Sequence, residues 1–224
     1  MLRLAYLLLT LCPLLAGCNM LAYPAYLLAP EPPAKTVPAE FAGLKNKTVA
    51  VVIFVGPQTQ LDYQTAQMEV SDAMAAELRR KVEGIKLVNT GRVIRYQCEN
   101  ANWESVPPEQ LCRTFNCDYV ILVSLIEFGT REPGSMHLPR GRISAQCAVY
   151  APPPASQPAS QAATQPLTGF EAAYRCELIS VTYPPEEGSP SLAVGSDWDI
   201  RIQTEKAFVA EVVKKFYSHK EPKE

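Results

Sequence analysis

The sequence predicts an α/β domain, a mixed sheet flanked by helices, on three observations. Residues 48–55 (TVAVVIFV) and 118–128 (DYVILVSLIEF) are apolar at almost every position, which marks strands covered on both faces. After the first run, Ala66, Val70, Met74, Leu78 and Val82 recur every fourth residue, the spacing of one buried helical stripe. Residues 141–150 instead alternate, with Ile143, Ala145, Cys147 and Val149 on one face and Ser144 and Gln146 on the other. That is a strand with one wet face. Strands interleaved with helices in this way build layers around a sheet.

The elements follow in order. The first strand ends at Gly56-Pro57, and Asp62 is placed to cap a helix running to about Glu83, stopped by Gly84. Residues 85–88 form a short second strand. Asn89 or Thr90 then caps a short helix that turns Val93, Ile94 and Tyr96 inward. Residues 97–106 read as a loop with Trp103 in its middle, a large side chain expected to meet a partner. Pro107-Pro108-Glu109 opens the next helix, since proline is tolerated in a first turn. After the long strand, residues 129–139 turn, and the alternating strand follows.

Residues 151–168 (APPPASQPASQAATQPLT) hold one leucine and no aromatic, so burial cannot offset the entropy of ordering them. They are expected to be a disordered insertion between two paired strands. The returning strand, residues 170–183, places Tyr174, Cys176 and Leu178 on its apolar face. A hairpin about the insertion sets Cys147 opposite Cys176, as either a cross-strand disulfide or two neighbouring core thiols. The final helix opens at Ser196 with Asp199 completing a capping box. Its inward stripe is read as Trp198, Ile202, Val209, Val212, Val213 and Phe216.

Near the start of the sequence Arg3 precedes an apolar run, interrupted by Pro13, that ends in Leu15-Ala16-Gly17-Cys18. The run is shorter than the roughly 20 apolar residues of a spanning helix and has the layout of an export signal. Its last four residues resemble the bacterial lipobox. The resemblance implies cleavage after residue 17 and a diacylglycerol on the Cys18 thiol, with stable attachment once further acyl chains are added. Residues 18–43 would then be a tether in which Pro30, Pro32, Pro33 and Pro38 enforce an extended path. At about 3.1 Å per residue, roughly 25 residues reach about 75 Å. Tyr23 and Tyr26 can sit among lipid headgroups or pack on the domain. The domain is expected over residues 44–219, with a short tail at 220–224.

The net charge of −2 lacks the basic excess of a nucleic-acid binder, and Arg79-Arg80-Lys81 and Lys214-Lys215 fall near helix ends, where cations suit the dipole. Two histidines, His137 and His219, and no Cys-x-x-Cys spacing leave little from which to build a zinc site. Besides Cys12 and Cys18 the cysteines are Cys98, Cys112, Cys117, Cys147 and Cys176. In an oxidising compartment some of these can pair, Cys98 with Cys112 or Cys117 being a second combination. No dinucleotide or phosphate loop and no Gly-x-Ser-x-Gly elbow is present. Ser135 and His137 share a turn, and the acids Glu186-Glu187 and Asp197/Asp199 are explained by solvation and helix capping. No catalytic residue, cofactor or metal is nominated.

The succession TVAVVIF, a helix, KLVNTGRV, CDYVILVSLIEFG and GRISAQCAVY resembles the family of curli-secretion lipoproteins and lipoprotein activators of peptidoglycan synthases. Their core is similar to the amino-terminal domain of the TolB translocation protein. RYQCENANW followed by Pro-Pro-Glu also resembles uncharacterised lipoproteins of planctomycete-type bacteria. The resemblance and the lack of catalytic motifs together point to a cell-envelope lipoprotein that binds an envelope protein without catalysis. Asn19, which is not the acidic residue that retains some lipoproteins at the inner membrane, favours the outer membrane facing the periplasm. The alternatives are an oligomeric secretion component and an enzyme without a linear motif. A curli-type pore is disfavoured, because the Pro-rich insertion cannot keep the hydrogen-bonded ladder a spanning hairpin needs.

Overall fold

The computed structural model describes residues 34–132, 134–135, 138–152, 172–185 and 196–222. Cys18, His137, Glu186-Glu187 and most of the 151–168 insertion lie outside them. In chain order the strands are β1 (Ala34–Val37), β2 (Thr48–Val55), β3 (Lys86–Leu87), β4 (Tyr119–Arg131), β5 (Pro139–Tyr150), β6 (Tyr174–Arg175), β7 (Ile179–Tyr183) and β8 (His219–Pro222). The helices are α1 (Pro57–Asp62), α2 (Ala66–Lys81), α3 (Thr90–Glu99), α4 (Pro108–Phe115) and α5 (Asp197–Lys214), with short 3-10 turns at Ala42–Leu44 and Trp103–Ser105.

Residues Pro38–His219 form one compact unit. Its sheet runs β3-β2-β4-β5, with β6 and β7 both paired to the outer side of β5. β2 is parallel to β3 and β4, while β4, β5 and the β6/β7 edge are antiparallel. The sheet is mixed and helix-flanked, as the sequence predicts. β1 pairs with β8 in a separate two-stranded sheet, so the expected tail contributes a strand.

Strand parity sorts the core into two layers. Val49, Val51, Ile53 and Val55 of β2 meet Ile121 and Val123 of β4, Ile143, Ala145, Cys147 and Val149 of β5, and the stripes of α2 and α5. Ala50, Val52 and Val120 turn the other way, onto Val93 of α3 and Leu111, Cys112 and Phe115 of α4. Burying each such aliphatic side chain contributes about 1.5–3 kcal/mol, so both faces of β2 help hold the fold. The expected stripe of α2, Ala66 through Leu78, is buried throughout.

β3 is short, pairing only Thr48 with Lys86 and Val49 with Leu87. The next stretch of the β2 edge is completed by side chains. The Ile53 carbonyl accepts the Gln67 amide at 3.1 Å and the Gln97 amide at 3.0 Å, and Gln67 also donates to Gln97 Oε1 at 2.9 Å. Unpaired edge carbonyls cost free energy when buried. This knot ties α2 and α3 to β2.

Several expectations are corrected. The span 62–83 is not one helix: Asp62 closes α1, where it accepts the Gln58 amide at 2.9 Å, and α2 starts at Ala66. α3 continues to Glu99 because Gln97, 7% exposed, turns inward with Val93, while Ile94 and Tyr96 are only half-buried. β4 extends to Arg131, and a register shift between Leu125 and Glu127 leaves Ile126 exposed. Ser144, expected to be wet, is buried and donates to Glu127 Oε2 at 3.1 Å.

The returning strand is broken. Ala148 faces Arg175 and Cys176 N–H donates to the Cys147 carbonyl at 2.9 Å, but Ala145 faces Ile179, so one extra residue enters between the two pairings. Such a bulge inverts side-chain parity beyond it. Leu178 is therefore turned out, 58% exposed, and Ile179 takes the core position.

In α5 the capping box forms as expected, with Ser196 Oγ accepting the Asp199 N–H and Asp199 Oδ2 accepting the Ser196 N–H. The buried stripe is Ile200, Thr204, Glu205, Phe208, Val209, Val212, Val213 and Phe216. Trp198 is 62% exposed and Ile202 half-buried. α5 crosses β5 at Gly141, where an added Cβ would stand 1.7 Å from Thr204 Oγ1. Only glycine allows that approach.

Candidate functional site

The carboxyl ends of the parallel strands β2 and β4 are where ligand crevices form in open α/β sheets. There the structure has a cleft of about 530 Å³. Tyr63, just past α1, forms one wall: its ring packs on Phe128 at 4.9 Å and its hydroxyl lies 3.3 Å from Thr130 Oγ1. Trp198, in the first turn of α5, forms another. Between them stand two guanidiniums. Arg131 at the end of β4 donates to Asp197 Oδ2 at 2.6 Å, and Arg201 donates to Glu69 Oε1 at 2.8 Å. Asp62 completes the rim.

Behind Arg201 lies a carboxylate pair on facing helices. Glu205 is 4% exposed, and its carboxyl is pushed up to about 8, first by burial and then by the neighbouring Glu69 charge. Arg201 Nε sits 3.7 Å from Glu205 Oε1, too far for a good hydrogen bond, and both atoms are buried without a partner. A neutral Glu205 beside the Glu69 carboxyl fits this arrangement. The group supports Arg201 from beneath.

The cleft offers an exposed indole, a phenol, and guanidiniums held in place by carboxylates. Such groups are capable of stacking, apolar contact and charge-assisted hydrogen bonds. Among the described residues no group of three or more His, Cys, Asp or Glu could hold a metal ion. The sequence reading missed the cleft because it assigned Trp198 to the core. The signal that could have found it is the position of Trp198 two residues past a capping serine, in a first turn rich in acids.

The residues singled out from the sequence fall elsewhere. Trp103 is half-buried against the α3/α4 core, its ring 6.2 Å from Phe54, so much of its surface is already covered. Cys147 and Cys176 are neighbours, as a hairpin about the insertion requires. Both are free thiols, Cys176 Sγ lies 3.1 Å from the Cys147 carbonyl, and the Cys176 thiol is brought to about 7, chiefly by hydrogen bonding with Cys147. Cys98 is exposed, whereas Cys112 and Cys117 are buried beside each other.

A second feature concerns the root of the tether. Phe41 N–H donates to the Lys215 carbonyl at 2.9 Å, and its ring stacks on Tyr174 at 5.7 Å and meets Tyr119 edge-on at 5.6 Å. Glu40 receives both Lys215 Nζ at 2.6 Å and the Tyr174 hydroxyl at 2.5 Å. Lys215 first, then Tyr174, holds the Glu40 carboxyl below its ordinary value.

No family model and no curated protein matches the chain. Among solved structures it is similar to the PelC dodecamer from Paraburkholderia phytofirmans, at 8% identity and TM-score 0.46, over 84% of this chain and 99% of that one. It is similar also to lipoprotein GNA1162 from Neisseria meningitidis, at 15% identity and TM-score 0.44, over 74% of this chain and 96% of that one. A third is the hypothetical protein CT253 from Chlamydia trachomatis, at 15% identity and TM-score 0.39, over 74% and 95%.

Proposed function

We propose that the chain is a cell-envelope lipoprotein, tied to the outer membrane through a lipidated Cys18 and facing the periplasm, whose domain is a non-catalytic binding module for an envelope protein. The observation that carries the binding reading is Trp198. An indole 62% exposed at the rim of a 530 Å³ cleft keeps a large apolar surface in water, and burying it against a partner is favourable. The anchor reading is supported by the signal ending in Leu15-Ala16-Gly17-Cys18. Among the described residues no helix is long and apolar enough to cross a membrane.

The two halves are tested separately. Growth with labelled palmitate is expected to label the wild-type chain and not Cys18→Ser, which should leave the membrane fraction; an unlabelled wild type ends the anchor reading. A photoreactive phenylalanine analogue in place of Trp198 is expected to give a discrete crosslinked protein in intact envelopes. The same probe replacing the exposed Arg79 of α2 serves as control, and an identical crosslinking pattern from both positions ends the binding reading.

A further inference from the structure

On the α3/α4 side of the sheet, the end of α4 brings two cysteines together. Asn116 adopts the left-handed conformation, with φ at 53°. Its N–H reaches back to the Arg113 carbonyl at 3.2 Å, and the Cys117 N–H reaches the Cys112 carbonyl at 2.9 Å. These are the two hydrogen bonds of a Schellman helix end, a motif that packs the side chain three residues inside the cap on the side chain just beyond it. Here those two positions are Cys112 and Cys117, so the turn that ends the helix also places one thiol on the other. The 6→1 hydrogen bond draws the two backbones together, and a disulfide needs Cα atoms within about 7 Å.

The two sulfurs have different surroundings. Cys112 Sγ lies 3.5 Å from the Tyr150 carbonyl and 3.9 Å from the Pro108 carbonyl, acceptors that favour the protonated thiol. The Cys117 thiol is held below its ordinary value, chiefly by the Cys112 thiol and, against the opposing effect of burial, by the nearby backbone of Ala50 and Tyr119. A cavity of about 330 Å³ opens onto both, rimmed by Arg113, Asn116, Asp118 and Thr48. Arg113 gives its mouth a positive charge, which offsets Asp118.

We propose that Cys112 and Cys117 form a redox site, a thiol pair that closes to a disulfide by exchange with a disulfide admitted through this cavity. The Cys117 thiolate attacks one sulfur of the incoming R–S–S–R. The S–S bond breaks, RS⁻ departs and takes up a proton, and a mixed disulfide is left on Cys117. Cys112 then loses its proton and attacks the Cys117 sulfur, releasing the second RS⁻, which that proton neutralises. Two protein thiols are oxidised and one external disulfide is reduced to two thiols. Closure staples the end of α4 to the start of β4, and the four intervening residues make the closed loop short, so the bond changes reactivity more than stability.

The site does not depend on the lipid anchor or on the Trp198 cleft. Its test uses the purified full chain carrying Cys98→Ser, an exposed position, treated with oxidised glutathione under native conditions. Trypsin cuts after Arg113 and separates the two cysteines, so a Cys112–Cys117 bond joins two peptides that dithiothreitol releases. That linked pair is the expected product. Cys112→Ser should instead trap glutathione on Cys117, while Cys117→Ser should leave Cys112 unmodified over the same time, a difference of at least tenfold in adduct. Two freely alkylatable thiols after treatment, or equal glutathione adduct on the two single variants, would overturn the proposal.

Discussion

Lys215 Nζ donates to Glu40 Oε1 at 2.6 Å across 175 residues of chain. The bond joins the point where the tether enters the domain to the residue following α5. With the Tyr174 hydroxyl on the other carboxylate oxygen, it clamps the segment around Glu40 onto the sheet. Glu40 is half exposed, which limits its worth by solvent screening. Glu40→Gln is expected to cost about 1 kcal/mol in urea unfolding at pH 7. Because the folded carboxyl titrates below its ordinary value, this contribution is present above pH 4.5 or so and is lost as pH falls through the folded value. The wild-type and variant unfolding curves should therefore converge in acid; a constant gap down to pH 3 would refute the clamp.

Glu205 has the opposite sign. A carboxyl raised to about 8 in the folded chain binds a proton that the unfolded chain releases near its ordinary value. Stability is therefore full below about pH 4.5 and falls as pH rises to about 8. Glu205→Gln keeps a neutral group beside Glu69 and Arg201 and is expected to flatten that slope. By pH 8.5 it should be at least as stable as wild type, by about 1–3 kcal/mol. Parallel stability–pH curves for the two proteins would show that Glu205 is ionised when folded.

Gly141 is required by the crossing of α5 over β5. A Cβ there meets Thr204 Oγ1 at 1.7 Å, Thr204 Cβ at 2.8 Å and Ile200 Cγ2 at 3.1 Å. Gly141→Ala is expected to cost about 1–3 kcal/mol or more as the helix shifts. Gly129→Ala in the neighbouring strand meets nothing within 4 Å and should stay within about 0.5 kcal/mol of wild type. Thermal unfolding of both variants reads the contrast.

Gln97→Leu removes the amide that closes the β2 edge. The Ile53 carbonyl then keeps only Gln67, and the Gln67 amide loses its Gln97 acceptor. The expected cost is about 1–3 kcal/mol, with faster amide hydrogen exchange in α3. A neutral result would mean that water replaces the knot without loss.

Trp198 and Phe208 lie on the same helix and differ in what covers them. Phe208 is fully buried, and Phe208→Ala should cost about 3–5 kcal/mol. Trp198→Ala should change stability by no more than about 0.5 kcal/mol. A Trp198→Ala loss as large as that of Phe208→Ala would return the indole to the core.

Much of the sheet was legible because its strands obey parity without interruption. The bounds of β2 are those read from TVAVVIFV, and both of its faces are buried. The α2 stripe and the α5 capping box follow equally from spacing. The reading failed where one residue changed the phase. The bulge before Ile179 turned Leu178 outward, and the shift after Leu125 exposed Ile126. It failed again where polar residues fill core positions, as Gln97, Thr204 and Glu205 do. Hydropathy counts such residues as surface, yet Gln97 is held by the Ile53 carbonyl and Thr204 by the Ile200 carbonyl, while burial keeps Glu205 neutral.

The sequence by itself determined the α/β class, the helix-flanked strand order, the near-register of the hairpin that sets Cys147 by Cys176, and the lipobox-like exit at Cys18. Those are properties of period and local chemistry, which a linear pattern contains. Only the tertiary structure decided that Trp198 rims a cleft, that Glu69 and Glu205 share one buried space with Arg201, and that Cys112 lies on Cys117. The first two depend on how closely α5 approaches the sheet and α2, the last on a left-handed Asn116. These are distances between elements and a backbone angle, set by packing after the pattern has done its part.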